Sequence, residues 1–258
     1  MKAIYMPKGA AGEYAKYACN FYKGCSNGCT YCYLQRGVLK HACGGNKPVL
    51  KSCFKDERDA METYFKELFE NCDEYGVPNS EFLKHGIFFT FTSDPCLPQT
   101  MGLNIPVMDA TMDHGVPVRM LTKCTAWIDT TAGSHLLSHK NAKELLSVGF
   151  TLTGRDDMEP NAAPNAERIK AMKRIYDMGI STWASIEPVI DLESSKRCII
   201  NTLGFCDEYK IGLLTGGKRN YSKEDVTDFV MRMTGLIADF GAAQYWKESV
   251  SDFVRKTA

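Results

Sequence analysis

The chain has 258 residues with 31 Lys and Arg against 31 Asp and Glu, so its formal net charge is zero and bulk charge gives no reason to expect a nucleic-acid or anionic-membrane partner. Eleven cysteines, an odd number scattered over a long chain, suit reduced thiols better than a disulfide framework. No apolar run approaches the roughly eighteen residues a membrane span needs, and the first residues lack the apolar stretch of a signal peptide, so the sequence predicts a cytoplasmic protein with no membrane partner.

The N-terminal part is locally basic. Residues 1–55 hold nine Lys or Arg and one acid, Glu13, which leaves a balancing excess of acids in the remainder. That asymmetry fits a phosphate-bearing substrate and a solvated basic surface equally well. A first strand is predicted over residues 14–19. It leads into Cys25, Cys29 and Cys32, spaced C-x3-C-x2-C. A four-iron cubane normally takes four thiolates, so a compact run of three leaves one iron open, and an open metal position is where chemistry occurs. Ser26, Asn27 and Gly28 are small or turn-forming and let a short loop wrap its thiols around one face of such a cluster. The competing reading is structural zinc, with His41 or Cys43 completing the ligand set of a module without catalysis. Residues 37–55, with Gly44-Gly45 and Pro48, form the least regular stretch and read as a lid or insertion.

From about residue 86 onward short apolar strands alternate with helical patterns. Strands are predicted over 86–91, 117–121, 148–153, 180–186, 208–213 and 243–246. Between them apolar residues recur at helical spacing, as at Ile169, Met172, Ile175 and Tyr176, or at Val226, Phe229, Val230, Met233 and Leu236. Successive βαβ units of this kind predict an α/β fold, a partial or open parallel β/α barrel of about six to seven strands, in a single domain covering 1–258. Chemistry in parallel barrels collects at the C-terminal strand ends. Those ends carry Thr92-Ser93-Asp94-Pro95-Cys96, Thr122-Lys123-Cys124, Thr153-Gly154 and Glu187-Pro188.

The run from Tyr17 through Cys25 into Cys29-Thr30-Tyr31-Cys32-Tyr33, a loop over 19–33, resembles the cluster loop of radical S-adenosylmethionine enzymes, and in particular of their spore photoproduct lyase-like (DNA repair photolyase-like) group. The resemblance extends over roughly residues 14–247 and implies the same partial barrel. It further implies a 4Fe-4S cluster on Cys25, Cys29 and Cys32 whose open iron chelates S-adenosylmethionine. An electron from an external donor such as flavodoxin or ferredoxin then cleaves the cofactor to a 5′-deoxyadenosyl radical that abstracts hydrogen from a substrate, in that group a thymine lesion in DNA. Carried onto matching positions, the resemblance places Lys123 on the methionyl carboxylate and Ser93 and Asp94 near the amino group. Thr153 falls nearby, Tyr31 against adenine and Glu187 at the ribose hydroxyls. Glu159 and Arg168 lie in a segment like the family's fourth strand-to-helix connection and read as structural, while Gly216-Gly217-Lys218 brings backbone toward adenine.

Two departures leave the substrate open among DNA, a nucleotide, a small metabolite and a peptide. The first cluster cysteine comes at residue 25, whereas those lyases carry an additional region before it. Phe91 stands where they place a hydrogen-donating cysteine, which leaves Cys96 and Cys124 as the thiols near the predicted mouth that can return hydrogen to a product.

Overall fold

The computed structural model describes residues 3–70, 72, 78–215 and 219–255. Gly216-Gly217-Lys218 therefore lies outside the described residues. In chain order the strands are β1 (Ile4–Tyr5), β2 (Ala18–Cys19), β3 (Tyr22–Lys23), β4 (Val49–Leu50), β5 (Ile87–Phe89), β6 (Val118–Thr122), β7 (Leu146–Thr151), β8 (Ser181–Val189), β9 (Glu208–Leu213) and β10 (Ala243–Trp246). Eight of them make one sheet in the order β1-β2-β5-β6-β7-β8-β9-β10. From β2 to β10 every neighbouring pair is parallel, and β1 adds an antiparallel edge. The fold is the α/β class expected, with seven parallel strands.

Each strand has one face toward the helices and one toward the inside of a curl. On β6, Val118, Met120 and Thr122 are buried while Arg119 and Leu121, pointing the other way, are half-buried. The helices cover the outer face with apolar stripes: Ala171, Met172 and Ile175 on the helix Asn165–Asp177, and Val226, Phe229, Met233 and Ile237 on Lys223–Asp239. The second helix starts at a reciprocal capping box between Ser222 and Asp225, which satisfies donors at its free N-terminal turn.

The inner face shows that the sheet is rolled. Phe88 of β5 and Trp183 of β8 are three strand positions apart, about 14 Å in a flat sheet, yet their ring centroids are 6.3 Å apart. Arg119 of β6 and Glu208 of β9 likewise meet at 2.7 Å. β1 and β10 stand at opposite ends of the strand order, so the barrel is open. Residues of the N-terminal segment reach into it: Lys210 donates to Glu13 O at 2.7 Å, Lys247 to Ala10 O at 3.0 Å, and the Tyr14 hydroxyl to Glu187.

Trp183 is fully buried in that interior, with the Arg119 guanidinium 4.1 Å from its ring centroid. Gly149 on β7 makes room for it, since a Cβ there would sit 2.1 Å from Trp183 Cε2. Gly149→Ala is expected to destabilise the protein by about 1–3 kcal/mol through overpacking. The companion Trp183→Phe change should relieve the clash, so in thermal melts the double variant should lose less than the two single losses summed.

Several predicted boundaries shift for physical reasons. The strand expected over 14–19 contracts to β2, because the backbone before it turns inward to give its carbonyls to Lys210. β8 runs past Ile186 through Pro188 to Val189, with a register shift between Ile186 and Val189 where an imide nitrogen costs no ladder bond. The stretch 37–55 contains a helix, Gly37–Ala42, and β4, which pairs antiparallel with β3.

Candidate functional site

The cysteine loop is clamped from two sides. On one, Gly24 N donates to Cys43 O at 2.9 Å and Cys25 N to Gly45 O at 3.1 Å. Gly24 holds φ +80 there, and a Cβ would come within 2.4 Å of Lys47 O, so only glycine fits. On the other, Thr30 N donates to Met158 O at 3.0 Å, Asn161 N to Asn27 O at 3.2 Å and Asn161 Nδ2 to Ser26 O at 3.0 Å. Thus Cys25, Cys29 and Cys32, all free and all half-buried, sit on a fixed backbone between the 43–47 turn and the connection after β7.

Burial, then the Asp94 carboxylate, pushes the Cys25 thiol up to about 12, and burial raises Cys29 as well. These are not activated thiolate nucleophiles, which need an electropositive and partly exposed setting. Among the described residues the three sulfurs do not all lie within 4.8 Å of one another, and no such trio includes His41 or Cys43. Thiolates around a single zinc, each about 2.3 Å from the metal, lie under about 4 Å apart. The three thiols are therefore not already closed into a single-zinc ligand set.

Asp94, 5% exposed, ties this loop to the sheet. Its Oδ2 accepts from Asn27 Nδ2 at 2.9 Å and Lys123 N at 2.8 Å, and its Oδ1 from Thr122 Oγ1 at 2.6 Å and Cys96 N at 3.0 Å. With both oxygens saturated, Asp94 positions Lys123 and the loop. Ser93 differs, for its Oγ is buried and has no hydrogen-bond partner. A buried hydroxyl without a partner is costly, and a ligand atom would satisfy it.

Lys123 projects from the end of β6 into the same space. Its ammonium lies 5.7 Å from the Tyr31 ring centroid, and its nearest carboxylate, Glu159 Oε1, is 4.0 Å away. Glu159 is fully committed elsewhere. It accepts from the Tyr31 hydroxyl and from Arg168, and the Glu159 and Arg168 side chains are both inaccessible to solvent. Arg168 donates further to Ala163 O and Thr151 O, both at 2.6 Å. The pair that reads as structural in the sequence therefore lies directly behind the cysteine loop and holds Tyr31 under Lys123. Burial and the Glu159 charge drive the Tyr31 phenol far above its ordinary range, so it stays a neutral donor.

The remaining predicted residues fall around this centre, each with partners within the protein. Thr153 is fully buried, and its Oγ1 accepts from Arg155 N at 3.2 Å within the turn. Glu187 is held inside the barrel by Lys247 at 2.7 Å and by Tyr14. Cys96 is 1% exposed and part of the core, its thiol raised by burial and by Asp94. Cys124 is half-buried, with its N–H on Thr122 Oγ1 at 2.9 Å.

Asparagines are what the sequence reading missed. Asn27 and Asn161 dock the loop, and Asn20 Oδ1 accepts from Phe91 N at 2.6 Å and Thr92 N at 3.3 Å, setting the end of β5 against β2. The available signal was Asn20 itself, a polar residue inside the apolar run Ala18-Cys19-Asn20-Phe21. Away from the mouth, Asp109, Asp113 and His139 form a metal-type trio. Yet His139 Nδ1 accepts from Asn141 N at 3.1 Å, which leaves the ring proton on Nε2, 3.3 Å from Asp113, as an ordinary hydrogen bond.

No family model matches the chain. An uncharacterized protein of Methanocaldococcus jannaschii is 27% identical over 205 residues, which is 76% of this chain and 69% of the relative. The crystal structure of Streptococcus suis SuiB bound to S-adenosylmethionine aligns over 87% of this chain with a TM-score of 0.54 and 11% identity. This chain spans 49% of the SuiB chain, and at that identity the likeness is one of fold.

Proposed function

We propose that the chain is a single-domain radical S-adenosylmethionine enzyme resembling the spore photoproduct lyase-like group, with Cys25, Cys29 and Cys32 holding a 4Fe-4S cluster. The observation that carries the reading is the pairing of three free thiols on one clamped loop with the loosely partnered Lys123 and the unpartnered Ser93 Oγ beside them. That a chain of the same fold, SuiB, binds S-adenosylmethionine supports it. When bound, the cluster and cofactor supply one-electron cleavage to a carbon radical that takes hydrogen from a substrate.

The protein's part is binding and aim. The Lys123 ammonium takes the cofactor carboxylate in a charge-assisted hydrogen bond. Ser93 Oγ binds a polar atom of the amino acid portion, and the Tyr31 ring lies against adenine. Asp94, Glu159 and Arg168 are positioning residues: they fix the backbone of Lys123 and the ring of Tyr31. Thr153 and Glu187 support the turn after β7 and the barrel interior. Of the two thiols considered as hydrogen donors, half-buried Cys124 is the better placed and Cys96 is enclosed in the core. A thymine lesion or another base in DNA is the substrate the resemblance favours, with Phe91 in place of the usual donor cysteine as the mark of a modified reaction. An external one-electron donor and a cytoplasmic location complete the reading; among the described residues no helix is long and apolar enough to cross a membrane.

Lys123→Ala tests the binding assignment. It should weaken S-adenosylmethionine binding at least about tenfold, the loss of roughly 1.4 kcal/mol of charge-assisted hydrogen bonding, while iron content stays at the wild-type level. Unchanged affinity by calorimetry on the iron-loaded protein would remove Lys123 from the carboxylate.

A further inference from the structure

β8 and β9 turn alternate residues toward the barrel interior, Trp183, Ser185 and Glu187 from one and Glu208, Lys210 and Gly212 from the other. Among the described residues the cations there are already taken. Arg119 sits on Glu208 at 2.7 Å, Lys210 donates to the carbonyls of Glu13 and Tyr14 at 2.7 and 3.2 Å, and Lys247, 2% exposed, reaches Glu187, Glu13 and Ala10 O. Glu187 differs in its two oxygens. The Tyr14 hydroxyl and the Lys247 ammonium both donate to Oε2, while Oε1 takes no hydrogen bond among the described residues, in a side chain 22% exposed. Oε1 lies over Gly212, where a Cβ would come within 2.8 Å of it, so this glycine gives the carboxylate its room. An aromatic wall runs from Glu187 to the cysteine loop. Tyr14, also hydrogen-bonded to Ser185 Oγ at 2.7 Å, has its ring 6.0 Å from that of Phe91, and the hydroxyl of Tyr33, next to Cys32, donates to Phe91 O. Tyr14 and Phe91 are only half-buried there.

We infer that Glu187 is a specificity-determining residue, held by Tyr14 and Lys247 so that its Oε1 accepts a hydrogen bond from a ring N–H of the substrate. The inference rests on the proposed function, in which the substrate must lie within reach of the cysteine loop, and it names what reads the substrate there. A carboxylate oxygen pairs with a donor and repels phosphate, and the faces of Tyr14 and Phe91 suit a planar ring. With the interior cations satisfied, any phosphate of the substrate stays outside the barrel. An acceptor left without its donor in such a site is costly, so a ring that lacks the N–H is rejected.

The test measures binding of a thymine-photoproduct dinucleotide and of its counterpart methylated at ring N3, by calorimetry on the iron-loaded protein with S-adenosylmethionine and no reductant. Wild type, Glu187→Gln and Tyr14→Phe are compared, with circular dichroism as the check on folding. Because two donors already face Oε2, the amide of Glu187→Gln turns its oxygen toward them and its NH2 toward the ligand, which converts an acceptor into a donor at constant shape. The expected result is binding of the unmethylated ligand at least about tenfold tighter in wild type, no such preference in Glu187→Gln, and an intermediate preference in Tyr14→Phe, where Lys247 still holds Oε2. Affinity for S-adenosylmethionine alone should stay within about twofold in Glu187→Gln. Equal binding of the two ligands by wild type, or binding of neither, overturns the inference. A preference kept in full by Glu187→Gln reports only the bulk of the methyl group and overturns it as well. Loss of S-adenosylmethionine affinity by about tenfold in Glu187→Gln does the same, because it returns the carboxylate to the ribose hydroxyls. An unchanged preference in Tyr14→Phe removes Tyr14 from the positioning. Absence of dithionite-driven 5′-deoxyadenosine from iron-loaded wild type would instead refute the radical enzyme and is read separately.

Discussion

Cys29→Ala is expected to abolish iron loading and, with it, all S-adenosylmethionine cleavage above background. Cys29 is the middle thiol of the three on the clamped loop, half-buried between Cys25 and Cys32 in the chain. A four-iron cluster left with two protein thiolates has no stable seat, so iron should fall from about four per chain to less than one after anaerobic reconstitution. Because the thiol is half-buried and outside the apolar core, the same variant should keep its fold by circular dichroism. Cys53→Ala, at an exposed cysteine, supplies the control and should load iron normally. Retention of one tightly bound zinc and no iron by wild type would favour a zinc module.

The largest stability loss is expected at the buried pair behind the loop. Glu159→Ala leaves the inaccessible Arg168 guanidinium with two backbone carbonyls and no counter-charge, and strands the Tyr31 hydroxyl. Removing one partner of a buried ion pair costs about 3–5 kcal/mol, which for a chain of this size corresponds to a fall in Tm of about 10 °C. The double variant Glu159→Gln with Arg168→Met removes both charges and should be more stable than Glu159→Ala alone. Thermal melts of the iron-free protein separate this effect from any contribution of a bound cluster. A Glu159→Ala protein melting within 2 °C of wild type, an interval of about 1 kcal/mol or less, would show that the pair adds nothing to stability.

What could be read from the sequence follows from burial. β5 to β10 are central parallel strands covered on the outside by helices, so they appear as short apolar runs between helical patterns, and their order along the chain is their order in the sheet. β1, β3 and β4 have two residues each, too few for a period to register, and their pairing is set by tertiary contacts such as Lys51 N on Phe21 O. The three cysteines were legible because spacing alone defines them. The hydrogen bonds of Asp94 were not, since a carboxylate at a strand end looks the same whether free or saturated by four donors, and only the fold brings Asn27 from 67 residues away to Asp94. Ser93 and Asp94, adjacent in sequence, end with opposite status, one unpartnered and the other full.

The most direct test of the account is formation of 5′-deoxyadenosine by the anaerobically reconstituted protein given dithionite and S-adenosylmethionine, alone and with a thymine-photoproduct dinucleotide. The account predicts cofactor cleavage that disappears in Cys29→Ala, and cleavage stimulated by the dinucleotide with release of repaired thymine would extend it to the lyase-like substrate. Iron-loaded protein that yields no 5′-deoxyadenosine under either condition would contradict it.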